Sequence, residues 1–114
     1  MGWPPQVGEK LPRAAECWYD HVKLDEWVLG RGHGAEWRKV FGDAATDRDR
    51  VWQAIALAAL GATVIEVRDR ASHGITCGTR ELVVLDGRSS PVTVSWHYAS
   101  PNAAPRLATA YPSP

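Results

Sequence analysis

The hydrophobic residues of this chain change their period once, at Gly61, and that change dictates the class of fold. Before Gly61 apolar side chains recur every three or four positions; after it they alternate. From Asp20 the pattern is helical. Asp20 can N-cap, Leu24, Trp27 and Val28 fall at i, i+3 and i+4, and Gly30 can take a left-handed closing position. Arg31-Gly32-His33-Gly34 loosens the pattern, and a short stripe of Trp37, Val40 and Phe41 follows, stopped by Gly42. The clearest helix runs from Asp47 to Leu60, with Thr46 as N-cap and Trp52, Ile55, Ala56, Ala59 and Leu60 as its apolar stripe. Thr63–Arg68 reads as a strand with Ile65 and Val67 on one face. Thr76–Leu85 is a second strand, weakened near Gly78 and closed by the turn dipeptide Asp86-Gly87. Pro91–Tyr98 is a third, with Val92, Val94, Trp96 and Tyr98 on one face and Thr93, Ser95 and His97 on the other; Arg106–Tyr111 is the fourth. Helices first and strands afterwards predict α+β, with N-terminal helices packed on one face of a four-stranded antiparallel sheet. Strand order is not readable.

A chain of 114 residues suits a single domain, here 1–114: an extended Pro-rich segment over 1–12, a helical part over 20–61 and a sheet part over 63–112. Thirteen Lys+Arg against 13 Asp+Glu argues against a bulk-electrostatic nucleic-acid binder but leaves room for a local site. No apolar run approaches the length of a membrane span. The opening Met1-Gly2-Trp3-Pro4-Pro5 lacks the charged and apolar regions of a signal peptide, and Met1-Gly2 before Pro-Pro is too little for myristoylation. Cys17 and Cys77 form neither a disulfide framework nor a metal cluster, so a reduced pair in a cytoplasmic protein is expected. No two histidines, and no His/Cys pair, have metal-ligand spacing, so no metal and no cofactor is expected.

Candidate chemistry rests on few residues. His33 lies between two glycines at the start of a short helix, where free amides favour an anion and an imidazole can meet a phosphate; it can equally be a loop histidine without a task. His97 falls on the polar face of the third strand beside Ser95 and Thr93, lining a cleft or meeting water. His73 and His21 read as loop and first-turn residues. Arg38 and Lys39 follow His33 on one segment, converging on it or forming a solvated face. Arg80 on the second strand is a good phosphate fork, and Arg88 follows the turn. In Pro105-Arg106-Leu107-Ala108-Thr109-Ala110-Tyr111-Pro112, strict alternation puts Leu107, Thr109 and Tyr111 on one face, where hydroxyl and phenol can hydrogen-bond a phosphodiester or belong to an ordinary edge strand. No paired-carboxylate, Walker, G-x-G-x-x-G or G-x-S-x-G signature occurs. Trp27, Trp37, Trp52 and Trp96 fit core stripes, whereas Trp3 and Trp18 pack under the termini or form a binding patch.

Leu11-Pro12, His33-Gly34, Lys39-Val40-Phe41, Gly78-Thr79-Arg80, Gly87-Arg88, Val94-Ser95-Trp96 and the C-terminal octet, in that order, resemble an uncharacterised bacterial toxin-like domain family. Its toxin-like members are similar to the barnase–EndoU–colicin–RelE class of metal-independent ribonucleases. The resemblance spans about Leu11 to Pro112 and is most specific in the octet. It implies His33 and Lys39 as a helix-borne catalytic pair, Arg80 as a basic residue on a strand, and Thr109 with Tyr111 on the last strand. Arg88, His97 and Arg106 are the expected substrate-binding residues. Glu36 departs from the more basic run that the resemblance leads one to expect, and is expected to offset positive charge beside His33.

The implied reaction is transesterification by the ribose 2′-OH, with histidine as base or acid because its ordinary pKa lies near neutrality. RNA, such as tRNA or mRNA, is the expected substrate, and a cognate antitoxin or immunity protein the expected partner, though the chain can also act alone. Two alternatives stand beside this: a non-catalytic protein- or RNA-binding module on the same scaffold, and a small-molecule or nucleotide binder on the polar sheet face around His97.

Overall fold

The computed structural model of the protein describes residues 3–113; Met1 and Gly2, part of the leader argument, and Pro114 lie outside it. The helical part comprises a wide-turned π-helix at Lys23–Arg31, α1 at Gly34–Phe41 and α2 at Arg48–Ala59, with a short 3-10 turn at Ala14–Glu16 before it and another at Gly42–Thr46 joining α1 to α2. Four strands follow, β1 at Val64–Asp69, β2 at Ile75–Leu85, β3 at Arg88–Tyr98 and β4 at Arg106–Pro112. They form one antiparallel sheet in the order β1-β2-β3-β4, a meander in which each strand pairs with its sequence neighbour. The class is α+β, with the helices N-terminal to the sheet. No helix is long and apolar enough to cross a membrane.

Strict alternation on β3 puts Val92, Val94, Trp96 and Tyr98 on the inner face, all buried against the helices. Opposite them in register lie Glu81, Thr79, Cys77 and Ile75 of β2. Asp86 and Gly87 both adopt positive φ, 52° and 78°, the geometry of a two-residue hairpin turn between Leu85 and Arg88. Gly78 does not break β2, which runs uninterrupted from Ile75 to Leu85.

Other expectations need correction. Asp47, not Thr46, caps α2: its carboxylate accepts from the Arg50 amide at 3.3 Å, while the Thr46 hydroxyl donates to the Asp43 carbonyl at 2.7 Å. The buried stripe of α2 is Val51, Ile55 and Ala59, which leaves Leu60 exposed and Trp52 half-buried. In β1 an irregularity between Val64 and Glu66 turns Ile65 outward and puts Val64 and Val67 inward.

The N-terminal segment bridges to both edges of the sheet at one end of each edge strand. Along β1, the Gly8 amide donates to the Val64 carbonyl and the Val64 amide to the Glu9 carbonyl, each at 2.8 Å. The chain then crosses below Tyr98, whose hydroxyl donates to the Pro12 carbonyl at 2.6 Å. At β4 it pairs again: Trp18 donates to the Pro105 carbonyl at 3.0 Å and accepts from the Leu107 amide at 2.9 Å. A strap of this kind satisfies the edge groups at Val64 and Leu107, where it is bonded.

One core group is out of place electrostatically. Glu81 is 3 % exposed and its Oε1 accepts from Thr79 Oγ1 at 2.8 Å and from the Trp96 indole at 3.3 Å, while Oε2 has no partner among the described residues. Burial pushes its carboxyl up from 4.5 to about 7, against the two hydrogen bonds that pull it down. The folded state therefore holds this proton more tightly than the unfolded chain, and the stability it contributes is complete below pH 4.5 and lost as pH rises through 7. Denaturant titrations of wild type and Glu81→Gln across that window are expected to differ in slope, the variant lacking a decline on the order of 2–3 kcal/mol.

Candidate functional site

The site is built around the segment Gly30-Arg31-Gly32-His33-Gly34. Gly30 does not close a helix in the left-handed region; its φ is −105° and ψ −126°. Instead the helix widens, and the Trp27 carbonyl accepts from the amides of both Gly32 and His33, at 3.0 and 3.1 Å. Only glycine fits the resulting turn. A Cβ on Gly32 would lie 2.5 Å from the Trp27 carbonyl oxygen and 2.8 Å from its ring, and one on Gly34 would lie 2.3 Å from the Leu29 carbonyl oxygen. The sharp re-entry into α1 makes His33 the N-cap residue and aims its ring at the edge of the sheet.

Trp37 then fixes α1 in place. The ring is fully buried, stacks on Phe41 at 5.4 Å and donates through its indole N–H to the Ala110 carbonyl of β4 at 3.0 Å. His33 lies one helical turn before Trp37, and Tyr111 is the residue after Ala110. The imidazole and phenol rings consequently meet, with centroids 5.0 Å apart. On its other side His33 meets the Trp27 ring edge-on at 6.3 Å. Its Nδ1 lies 3.3 Å from Glu36 Oε1, within reach of a hydrogen bond that the carboxylate accepts. Glu36 thus orients the imidazole in addition to lowering the local positive charge.

Tyr111 faces the sheet surface opposite the helices. The register shifts between Ser95 and Trp96, pairing Leu107 with Trp96 but Thr109 with Ser95, so Leu107 points to the core while Thr109 and Tyr111 take the outer positions. Strict alternation along β4 is broken by one residue, which corrects the shared face expected of Leu107, Thr109 and Tyr111. Tyr111, Thr93, Ser95, Thr76, Arg68 and Arg70 line an outer groove of about 190 Å³, together with Glu66, Ile65 and Gly78. Arg68 pairs with Glu66 at 2.7 Å.

The sequence-predicted residues separate into three groups. His33, Tyr111 and Arg80 come to one region: Arg80 opposes Thr93, which opposes Tyr111, and its guanidinium donates to the Ser113 carbonyl at 2.7 Å. His97 and Arg106 are cross-strand partners lining a second groove with Trp18, and His97 Nε2 donates to the His73 carbonyl. The rest lie apart. Lys39 is exposed two residues past Trp37, about 200° around the helix from the buried stripe. Arg88 sits at the hairpin end of the sheet over Gly42, within 3.5 Å of the Val40 carbonyl. The Thr109 hydroxyl is covered and has no partner among the described residues.

Arg68, Arg70 and the orienting Glu36 are functional candidates that sequence reasoning passed over. Glu66 and Arg68 share a strand face by simple alternation, and that was the available signal. Trp27, assigned to a core stripe, is 46 % exposed because the widened turn rotates it away from Leu24 and Val28. Burial pushes the Cys17 and Cys77 thiols up to about 11, so neither supplies a thiolate at neutral pH. Among the described residues no group of three or more His, Cys, Asp or Glu side chains is placed to hold a metal ion. No family model, curated protein or solved structure matches this chain.

Trp37→Phe keeps an aromatic ring but removes the N–H that holds Ala110 together with part of the buried ring volume. The variant is expected to lose about 1–3 kcal/mol in denaturant unfolding, and the His33–Tyr111 ring contact, followed by nuclear Overhauser effects, is expected to weaken with it.

Proposed function

We propose that this chain is a metal-independent ribonuclease of toxin type, cleaving RNA by 2′-OH transesterification on the outer face of β3 and β4. The observation that carries the reading is the meeting of His33 and Tyr111, 5.0 Å apart, beside a groove edged by Arg68 and Arg70. His33 Nε2 takes the ribose 2′-OH proton while Glu36 holds Nδ1. The 2′-oxygen bonds to phosphorus, the bond to the 5′-oxygen breaks, and the Tyr111 phenol protonates the departing oxygen. The products are a 2′,3′-cyclic phosphate and a 5′-hydroxyl. Arg68, Arg70 and Arg80 offset the charge that builds on the phosphorane, Arg80 by exchanging the Ser113 carbonyl for phosphate oxygens. Tyr111, with the Thr93 and Ser95 hydroxyls, positions the strand. The reading agrees with the resemblance to the barnase–EndoU–colicin–RelE class, and it carries that class's setting: a cytoplasmic tRNA or mRNA substrate and a neutralising protein partner.

A non-catalytic protein- or RNA-binding module is favoured by a different observation. Lys39 turns away from His33, and the Arg80 fork is already engaged by Ser113.

Incubation of purified protein with labelled tRNA and mRNA in EDTA separates the two. Cleavage leaving cyclic phosphate ends is expected, with His33→Ala slower by at least about 100-fold and Tyr111→Phe also impaired. Absence of cleavage at stoichiometric enzyme, or full activity in His33→Ala, overturns the assignment.

A further inference from the structure

Two tryptophans stand open to solvent on either side of one arginine. Trp18 is 49 % and Trp27 46 % exposed, although aromatic rings of this size usually bury themselves. Trp27 lines a groove of about 470 Å³ with Arg106, Lys23 and Arg31. Trp18 lines a groove of about 330 Å³ with Arg106 and His97, floored by small alanines. Arg106 is common to both. Both rings rest on fixed backbone: Trp18 is bonded into the edge of β4 beside Arg106, and Trp27 lies down on Gly32. The row ends at the candidate site, because Trp27 meets His33 edge-on.

We infer that Trp18, Arg106 and Trp27 form a binding track for single-stranded RNA, with a base stacked on each indole and the intervening phosphate on Arg106. The inference rests on the ribonuclease reading for its direction, since the track leads the strand toward His33 and Tyr111. Stacking on an open indole is tolerant of sequence because every base has a π-face, and an arginine between two such rings matches the alternation of base and phosphate. Charge favours the same occupant. Lys23, Arg31 and Arg106 face the larger groove against Asp20 and Glu26, and the Asp20 carboxylate is engaged by the amides of Val22 and Lys23. A neutral chain thereby places a local cationic surplus where a strand would lie.

The test reads binding without cleavage. A fluorescein-labelled uridine oligonucleotide with 2′-O-methyl groups, which lacks the attacking hydroxyl, is titrated with wild type and with Trp18→Ala, Trp27→Ala, Trp27→Phe and Arg106→Gln, followed by anisotropy at several salt concentrations. Circular dichroism melts check that each variant is folded. Saturable wild-type binding is expected, weakened roughly tenfold or more by each alanine substitution and less by Trp27→Phe, with a shallower salt dependence in Arg106→Gln. Trp27→Phe keeps a ring over Gly32, so a packing defect in Trp27→Ala does not decide the outcome. No saturable wild-type binding, or unchanged affinity in both alanine variants, overturns the track. The same variants tested on cleavable RNA distinguish the two claims. Tryptophan-dependent binding without cleavage keeps the track and removes the ribonuclease, whereas cleavage with undiminished affinity in the variants removes the track and keeps the ribonuclease.

Discussion

The hydrogen bond from the Trp37 indole to the Ala110 carbonyl is the joint on which the arrangement of this protein turns. Its energy is not what makes it important. A buried neutral hydrogen bond contributes about 1 kcal/mol net, whereas burying an indole of roughly 200 Å² is worth about 5 kcal/mol. Packing supplies the stability and would tolerate a ring turned or shifted by a fraction of a turn. The N–H has only one place to go, and it sets the register between α1 and β4. Because His33 precedes Trp37 by one turn and Tyr111 follows Ala110, that register places imidazole beside phenol.

The part of the fold visible in the sequence is the part governed by local period. On β3, four inward apolar residues alternate with polar ones, and the structure keeps that alternation without a fault. Asp86-Gly87 makes the turn that its dihedral preferences allow, and Gly42 ends α1. Hidden elements are those in which the period slips by one residue. The wide turn before Gly32 rotates Trp27 off the buried stripe, and the irregularities in β1 and β4 reverse which residues face the core. A pattern count assumes constant spacing, so it carries past such a slip with the wrong parity. Strand order was invisible for another reason, since any meander or crossover of these four strands has the same alternation.

The candidate site was legible to the extent that chemistry and position coincide in one residue. His33 between glycines, Arg80 on a strand and Tyr111 near the end of β4 were named from residue type, and the chain brings them to one region. Lys39 was paired with His33 by the resemblance alone; the six-residue spacing gives no shared helix face, and its side chain stands exposed. Thr109 lies on the outer face after the slip in β4, with its hydroxyl covered. Glu36 counted as charge in the sequence; in space it is a hydrogen-bond partner of the imidazole. Sign was readable, direction was not.

The bond from Trp37 to Ala110 joins residues 73 positions apart. Every strand pairing in the sheet is between neighbours, and the hairpin of β2 and β3 closes over a two-residue turn, so most of the scaffold can assemble from nearby segments at small entropic cost. The His33–Tyr111 meeting cannot. α1 precedes the whole sheet and β4 is its last strand, so the two must dock before the rings can touch. The ring contact is therefore a marker of completed tertiary structure: a partly folded chain that has α1 and the β2–β3 hairpin but not a docked β4 lacks it.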